Sequence, residues 1–215
     1  MTTLIFVRHG QSEGNLKKIF TGRLDLPLTD LGREQAQRTA NYLYANYPVG
    51  AIYSSDLCRS METAEISAAR FGLEVIPEEG LREFDVGAWT GLNYDQLMAH
   101  YPDEYQIWKT DFGNVQPTGG ESVLQFSERV FKVVNRILAE NQGKCVAVFS
   151  HATPIRLMRA YADGIMPKDM RNIESGTNAS ISVIEFDEHL NPKLVLYSYD
   201  SHQKDPQESA PKNLV

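Results

Sequence analysis

Apolar residues in this chain fall into short continuous runs that alternate with longer helical stripes. The first run, Thr3-Leu4-Ile5-Phe6-Val7, is partly β-branched and reads as a buried strand ending on Arg8-His9-Gly10. Thr29-Asp30 then caps a predicted helix reaching about residue 47, with Leu31, Ala36, Ala40, Leu43 and Tyr47 near one face. A short strand at 51–54, a helix at 56–71 and a strand at 73–77 follow, and 78–88 reads as a loop. The stretch 92–120 is polar, aromatic and acidic, with weak periodicity, and predicts one or two short helices forming a lid outside the sheet. From 121 to about 141 the helical period returns through Val123, Phe126, Val130, Val133, Val134, Ile137 and Leu138. A second buried run then ends on Phe149-Ser150-His151, and Thr153-Pro154 predicts the cap and first turn of another helix. Residues 179–186 and 194–199 read as a closing hairpin.

Strands alternating with helices predict an α/β fold, a three-layer sandwich whose mostly parallel central sheet is flanked by helices and carries a small helical lid. One domain is expected over 1–200, with the lid at about 92–120 and a loosely held polar tail over 201–215. A length of 215 residues suits that plan, and 42% hydrophobic with 23% charged residues is ordinary for a soluble globular chain. No apolar run is long enough to span a bilayer and the N-terminus lacks a signal-like core, so a cytoplasmic protein without a membrane partner is expected. The net charge of −7 argues against a nucleic-acid surface. An anionic ligand would have to be drawn in by a local group of arginines. Cys58 and Cys145 are too few for a disulfide framework and read as buried thiols. A homodimer is compatible with the sequence, which does not specify one.

Two buried strands that each deliver a histidine at their carboxyl end are the skeleton of a site, because open α/β sheets gather ligands at those ends. Several familiar chemistries are missing. Gly143-Lys144-Cys145 fails the last position of a phosphate-binding loop, and Gly120-Glu121-Ser122-Val123-Leu124 breaks the serine-hydrolase elbow. Neither cysteine is followed six residues later by arginine, no Asp-x-Asp occurs, and no Cys/His cluster has zinc spacing. If the chain is an enzyme, histidine is the best remaining nucleophile. Neutral imidazole attacks phosphorus well near neutral pH, and an adjacent arginine favours the neutral ring while clamping phosphoryl oxygens.

The motifs resemble the histidine phosphatase superfamily, also called the phosphoglycerate mutase-like family. Arg8-His9-Gly10 with Ser12 and Asn15 is similar to its signature, and Thr21-Gly22 with Asp25-Leu26-Pro27-Leu28-Thr29-Asp30 to its next block. Tyr53-Ser54-Ser55-Asp56 through Arg59, Leu81-Arg82-Glu83-Phe84, Gly119-Gly120-Glu121-Ser122 and Ser150-His151 follow in the family's order. The resemblance implies that His9 is transiently phosphorylated and that Glu83 is the general acid. It implies that Arg8, Arg59 and His151 surround the phosphoryl oxygens, and that Asn15, Ser12, Thr21, Gly22 and Arg23 contribute to substrate binding. Two arginines and a second histidine would supply the positive charge, with neither metal nor cofactor. Gly14 stands where many members carry a bulky aromatic, which implies a wider entrance.

The family holds both phosphatases and mutases. A mutase needs a second cationic cluster for its doubly phosphorylated intermediate, yet 84–120 holds only Lys109 against Asp85, Asp95, Asp103, Glu104 and Asp111. Hydrolysis of a small phosphorylated metabolite is therefore expected over the alternatives of a cofactor-dependent phosphoglycerate mutase or a non-catalytic phospho-ligand binder. Tyr94, Tyr101, Tyr105, Trp108 and Phe112 are compatible either with an aromatic outer pocket or with a packed lid core. Trp89 and Trp108 are read as packing residues. His100, His189 and His202 sit in polar contexts and are expected to be exposed.

Overall fold

The strand that ends on Arg8 lies near the middle of a six-stranded sheet. The computed structural model describes residues 1–203. Its strands are β1 (Thr2–Arg8), β2 (Val49–Ser54), β3 (Val75–Pro77), β4 (Cys145–Ser150), β5 (Ile181–Phe186) and β6 (Pro192–Tyr199), in the spatial order β3-β2-β4-β1-β5-β6. The first four of that order are mutually parallel, β5 pairs antiparallel with β1, and β6 antiparallel with β5.

Parallel strands covered on both faces need apolar side chains at every position, which is why β1 and β4 read as continuous runs. Leu4, Phe6, Val146 and Val148 point to one face and Ile5, Val7, Ala147 and Phe149 to the other, none more than 2% exposed. Helices α2 (Asp30–Asn46) and α3 (Cys58–Phe71) cover the second face through Leu43, Ala64 and Ala68. Helices α6 (Val123–Glu140) and α7 (Ala152–Ala162) cover the first through Phe126, Val130, Ile137 and Leu157. The result is the three-layer α/β sandwich. No helix among the described residues is long and apolar enough to cross a membrane.

A short helix α1 (Glu13–Lys17) follows β1. The 92–120 stretch forms α4 (Tyr94–His100), α5 (Pro102–Thr110) and a 3-10 turn at Phe112–Asn114. Its periodicity is weak because it is held by aromatic edges and one carboxylate rather than by an apolar stripe. Phe20 meets Trp89, Tyr94 and Trp108 with ring centroids 5.9, 4.9 and 5.5 Å away. Glu104 accepts from the Trp89 indole N–H at 2.6 Å and from the Thr118 hydroxyl at 2.5 Å.

Helix starts follow their capping chemistry. Thr29 accepts from the Gly32 N–H, and Ser122 forms a reciprocal box with Gln125 at the start of α6. Ser122→Ala is expected to lower stability by about 1 kcal/mol in urea unfolding without affecting the remote residues of the sheet. One predicted start is corrected: α7 begins at Ala152 with His151 as its N-cap, not at Thr153-Pro154. Pro154 is tolerated in that first turn because the N–H it lacks has no partner within the helix.

Two further expectations are corrected. Cys58 and Cys145 are half-buried rather than buried, with burial pushing both thiols up to about 11. His202 is not exposed: it stacks against Tyr42 and Tyr199, whose rings also meet each other, and shares its Nε2 with the Thr39 hydroxyl and the Ala179 carbonyl. The neighbouring Gln203 is buried and donates to the Gln35 carbonyl and Thr39, so the start of the predicted loose tail is docked on α2. The rest of that tail, 204–215, lies outside the described residues.

Candidate active site

The parallel register of β1 on β4 sets Arg8 opposite Ser150, so the next residue of each strand falls side by side at the sheet's carboxyl edge. Those residues are His9 and His151, with ring centroids 5.1 Å apart and planes 61° apart. The His9 main chain is tied in from three directions. Its N–H donates to Ser150, and its carbonyl accepts from the Ala179 N–H and the Asn178 side chain. Gly10 permits a close backbone approach, since a Cβ there would lie 2.3 Å from the Gly32 carbonyl oxygen.

The imidazole of His9 donates from Nδ1 to the Gly10 carbonyl at 2.7 Å, which places the ring proton on Nδ1 and the lone pair on Nε2. Burial first, then the Arg59 and Arg8 guanidiniums, hold the ring well below the ordinary imidazole value. It is neutral at physiological pH, the form a nucleophile needs. His151 is held down in the same way, by burial and then Arg59. Its Nε2 lies 2.8 Å from the Ser55 hydroxyl, which itself accepts from the Leu57 N–H. That contact fits either tautomer, since a hydroxyl can donate to Nε2 or accept from it, and among the described residues Nδ1 has no hydrogen-bond partner. Burial and the arginines thus favour a neutral His151 ring over the positive charge that the resemblance implied.

The arginines carry the charge. Arg8 donates through Nη1 to the Gly176 carbonyl, and its Nε is buried without a partner. Arg59 is 1% exposed and acts electrostatically on both imidazoles. Its Nη atoms donate to the carbonyls of Leu24 at 2.8 Å and Gly22 at 3.0 Å, leaving Nε buried and free of hydrogen bonds. Asn15 Oδ1 accepts from the Ser12 N–H, the Ser12 hydroxyl and the Asn178 amide. With its oxygen so occupied, the Asn15 amide nitrogen is the group left for a ligand.

Glu83 enters from the loop after β3. Its Oε1 accepts from its neighbour's N–H, Phe84, at 2.8 Å and from the Thr153 N–H at 3.2 Å, so the carboxylate closes the open N-terminus of α7. The loop itself is clamped by Arg129 of α6, which donates to the carbonyls of Gly80, Arg82 and Glu83 and to both oxygens of Glu121. Glu121 also accepts from the Asp85 N–H at 2.7 Å. The Gly119-Gly120-Glu121-Ser122 motif is thus a brace behind Glu83. Arg82, for its part, forms its ion pairs with Asp56 and Glu79.

One cleft brings most of these groups together. Arg8, His9, Asn15, Thr21, Gly22 and Glu83 line it; Arg59 and His151 do not, and lie buried next to His9. Two predicted binding residues stand elsewhere. Ser12 is spent on capping α1, and Arg23 turns to Asp85 at 3.3 Å and Glu121 at 3.8 Å. Gly14 does not widen the entrance, because a Cβ there would meet the Thr21 methyl at 2.1 Å. Its absent side chain is the space Thr21 fills. Trp108 packs as expected, against Phe20 and Trp89, and also lines the cleft with Tyr94 and Phe112. Sequence reasoning missed Lys18, Arg156, Ser175 and the bracing Asn178. The one signal for Arg156 was a charged residue on the buried face of α7, between Ile155 and Leu157.

Comparisons with known proteins identify the family and the fold. Residues 4–199 match the family model of the histidine phosphatase superfamily, branch 1. The chain is 35% identical over 199 residues to phosphoserine phosphatase 1 of Hydrogenobacter thermophilus, spanning 91% of this chain and 92% of that one. It is 35% identical over 182 residues to phosphoglycerate mutase-like protein 4 of Arabidopsis thaliana, spanning 84% and 77% respectively. Its fold superposes on a mycobacterial glucosyl-3-phosphoglycerate phosphatase bound to VO3 with a TM-score of 0.84 at 28% identity, covering 92% of this chain and 99% of that one.

Proposed function

The chain belongs to the histidine phosphatase superfamily, and within it we propose that it is a metal-independent phosphomonoesterase acting on small phosphorylated metabolites in the cytoplasm through a phosphohistidine on His9. The observation that carries this reading is the His9 ring, neutral, buried beside two arginines and turned by the Gly10 carbonyl so that Nε2 holds the lone pair. The phosphatases among the relatives support it.

In the first step Nε2 attacks phosphorus and the P–O bond to the leaving group breaks. Glu83 gives its proton to the departing oxygen, releasing the alcohol. Arg8, Arg59, the Asn15 amide and the unpaired His151 Nδ1–H bind the three equatorial oxygens as charge spreads over them. In the second step water attacks the phosphohistidine, Glu83 takes its proton, and the P–N bond breaks to give inorganic phosphate and the starting enzyme. The positive charge comes from the side chains, so no step requires a metal.

The test is phosphate release from a panel of phosphomonoesters with EDTA present, alongside an assay for conversion of 3- to 2-phosphoglycerate with 2,3-bisphosphoglycerate supplied. Release that survives EDTA supports hydrolysis. Isomerisation without net hydrolysis would establish the mutase alternative instead. Arg129 is a positioning residue in this scheme, and it gives a separable readout. Arg129→Met is expected to lower kcat/KM, which reports the first step, about tenfold to a hundredfold for alkyl phosphates yet barely for para-nitrophenyl phosphate, whose leaving group needs no proton. The loss of the base in the second step falls on kcat for both. Glu83→Gln is expected to show the same split, enlarged. Equal losses of kcat/KM on both esters would assign Arg129 to folding alone.

A further inference from the structure

Arg156 is a buried cation that the reaction above does not use. It stands on α7 one turn beyond Thr153, whose N–H holds Glu83, and only 2% of it is exposed. Nη2 donates to the carbonyls of Met170 and Arg171, both at 3.1 Å, and the guanidinium lies 5.8 Å from the Phe112 ring centre. These contacts fix its plane without neutralising its charge. Among the described residues Nε is buried with no hydrogen-bond partner, and so is Ser175 Oγ; both residues line the cleft that holds His9 and Glu83. Leaving a charge and two polar atoms unsatisfied in a buried wall is costly, and the cost is relieved when a ligand supplies the missing acceptors.

We propose that Arg156 and Ser175 form a second anion subsite, which takes a carboxylate carried by the organic part of the phosphomonoester. The proposal rests on the reading of the cleft as a phosphomonoesterase site. A carboxylate fits better than a second phosphate for reasons of charge. Arg8 and Arg59 stand beside the two histidines, where the proposed reaction places the phosphoryl group. The outer subsite offers one planar guanidinium with an edge already committed to carbonyls, and its walls are the rings of Phe112, Tyr94 and Trp108. One delocalised monovalent cation matches a monoanion accepting N–H bonds in its plane. Arg156 stands one helical turn from the Thr153 N–H that holds Glu83, and both side chains line one cleft, so the ligand's carboxylate and its ester oxygen share that cleft. The cation count over 84–120 overlooked this subsite because Arg156 and Ser175 come from α7 and from the segment before β5.

Calorimetry with phosphonopropionate and its uncharged amide tests the subsite without turnover. The wild-type protein is expected to bind the acid about ten to a hundred times more tightly than the amide. Arg156→Gln is expected to bring the acid down to the amide's affinity while leaving amide binding unchanged. Ser175→Ala, which removes no tether, is expected to reduce the preference for the acid several-fold and serves if Arg156→Gln folds poorly. Equal affinities in the wild type, or equal losses for both ligands in the variants, would overturn the subsite and leave Arg156 a tether for residues 170–171. Hydrolysis of para-nitrophenyl phosphate is measured in parallel. Its failure would count against the phosphatase reading alone, because the binding comparison does not depend on it.

Discussion

His9→Ala is expected to lower kcat for phosphomonoester hydrolysis by about ten-thousandfold or more while the protein stays folded. Removing a covalent nucleophile has effects of that order, since the arginines and the acid that remain can bind the ester but offer nothing for the phosphoryl group to transfer to. The fold should tolerate the change. His9 is held chiefly through its main chain, by Ser150, Ala179 and Asn178, and its ring makes one hydrogen bond, to Gly10. Rapid quenching with a labelled substrate supplies the decisive readout. Wild-type protein should retain label through a bond that survives alkali and is lost in acid, as a phosphoramidate does, and His9→Ala should retain none. His151→Ala should slow both chemical steps yet keep the label, because that ring donates a hydrogen bond and does not attack. Label persisting in His9→Ala would move the nucleophile elsewhere and sink the mechanism.

The parts of the fold legible in the sequence were those governed by local chemistry. Continuous apolar runs marked β1 and β4, the Thr29-Asp30 cap marked the start of α2, the apolar helical period marked α6, and Arg8-His9 and His151 were visible as strand-end residues. What the sequence did not display was adjacency. Nothing local says that β4 inserts between β1 and β2, yet that insertion is what puts His9 and His151 side by side.

The same limit explains the misplaced residues. Arg23 follows Thr21-Gly22 and so looked like a ligand contact, but Asp85 and Glu121, brought in from distant segments, claim it. His202 looked polar and exposed because the Tyr42–Tyr199 pair that flanks it joins α2 to β6. Counting charge along 84–120 treated the cleft as though one interval built it. The cleft wall is composite, and a cation on the buried face of α7 changes its electrostatics more than acidic residues occupied elsewhere, such as Glu104 on Trp89 and Thr118. A charged side chain at a position where the helical period demands an apolar one is the local signal that deserved weight.

Holding two imidazoles neutral in a buried site has a consequence for stability in acid, and the expected effect is large. His9 and His151 both titrate well below the ordinary value of about 6.5 in the folded protein, with burial the leading cause, and His202 is lowered as well. Between the folded and unfolded values the unfolded chain binds more protons, so stability rises with pH through that window and is lost as pH falls below about 6.5. Each such histidine contributes at most about 1.4 kcal/mol per pH unit, so His9 and His151 together approach about 2.7 kcal/mol per unit. Two units below neutrality would then remove a substantial part of a typical folding free energy of about 5–15 kcal/mol. Urea unfolding between about pH 7.5 and pH 5 measures the slope directly. His151→Gln keeps a buried polar group but cannot take up a proton, and it is expected to flatten the acid limb by about one histidine's share. An unchanged slope in that variant would mean that folding leaves the titration of His151 unshifted, and a steeper one that His151 is already protonated in the folded protein. In the second case it would act on the phosphoryl group as a charge, and the assignment of its Nδ1–H as a neutral donor would fail.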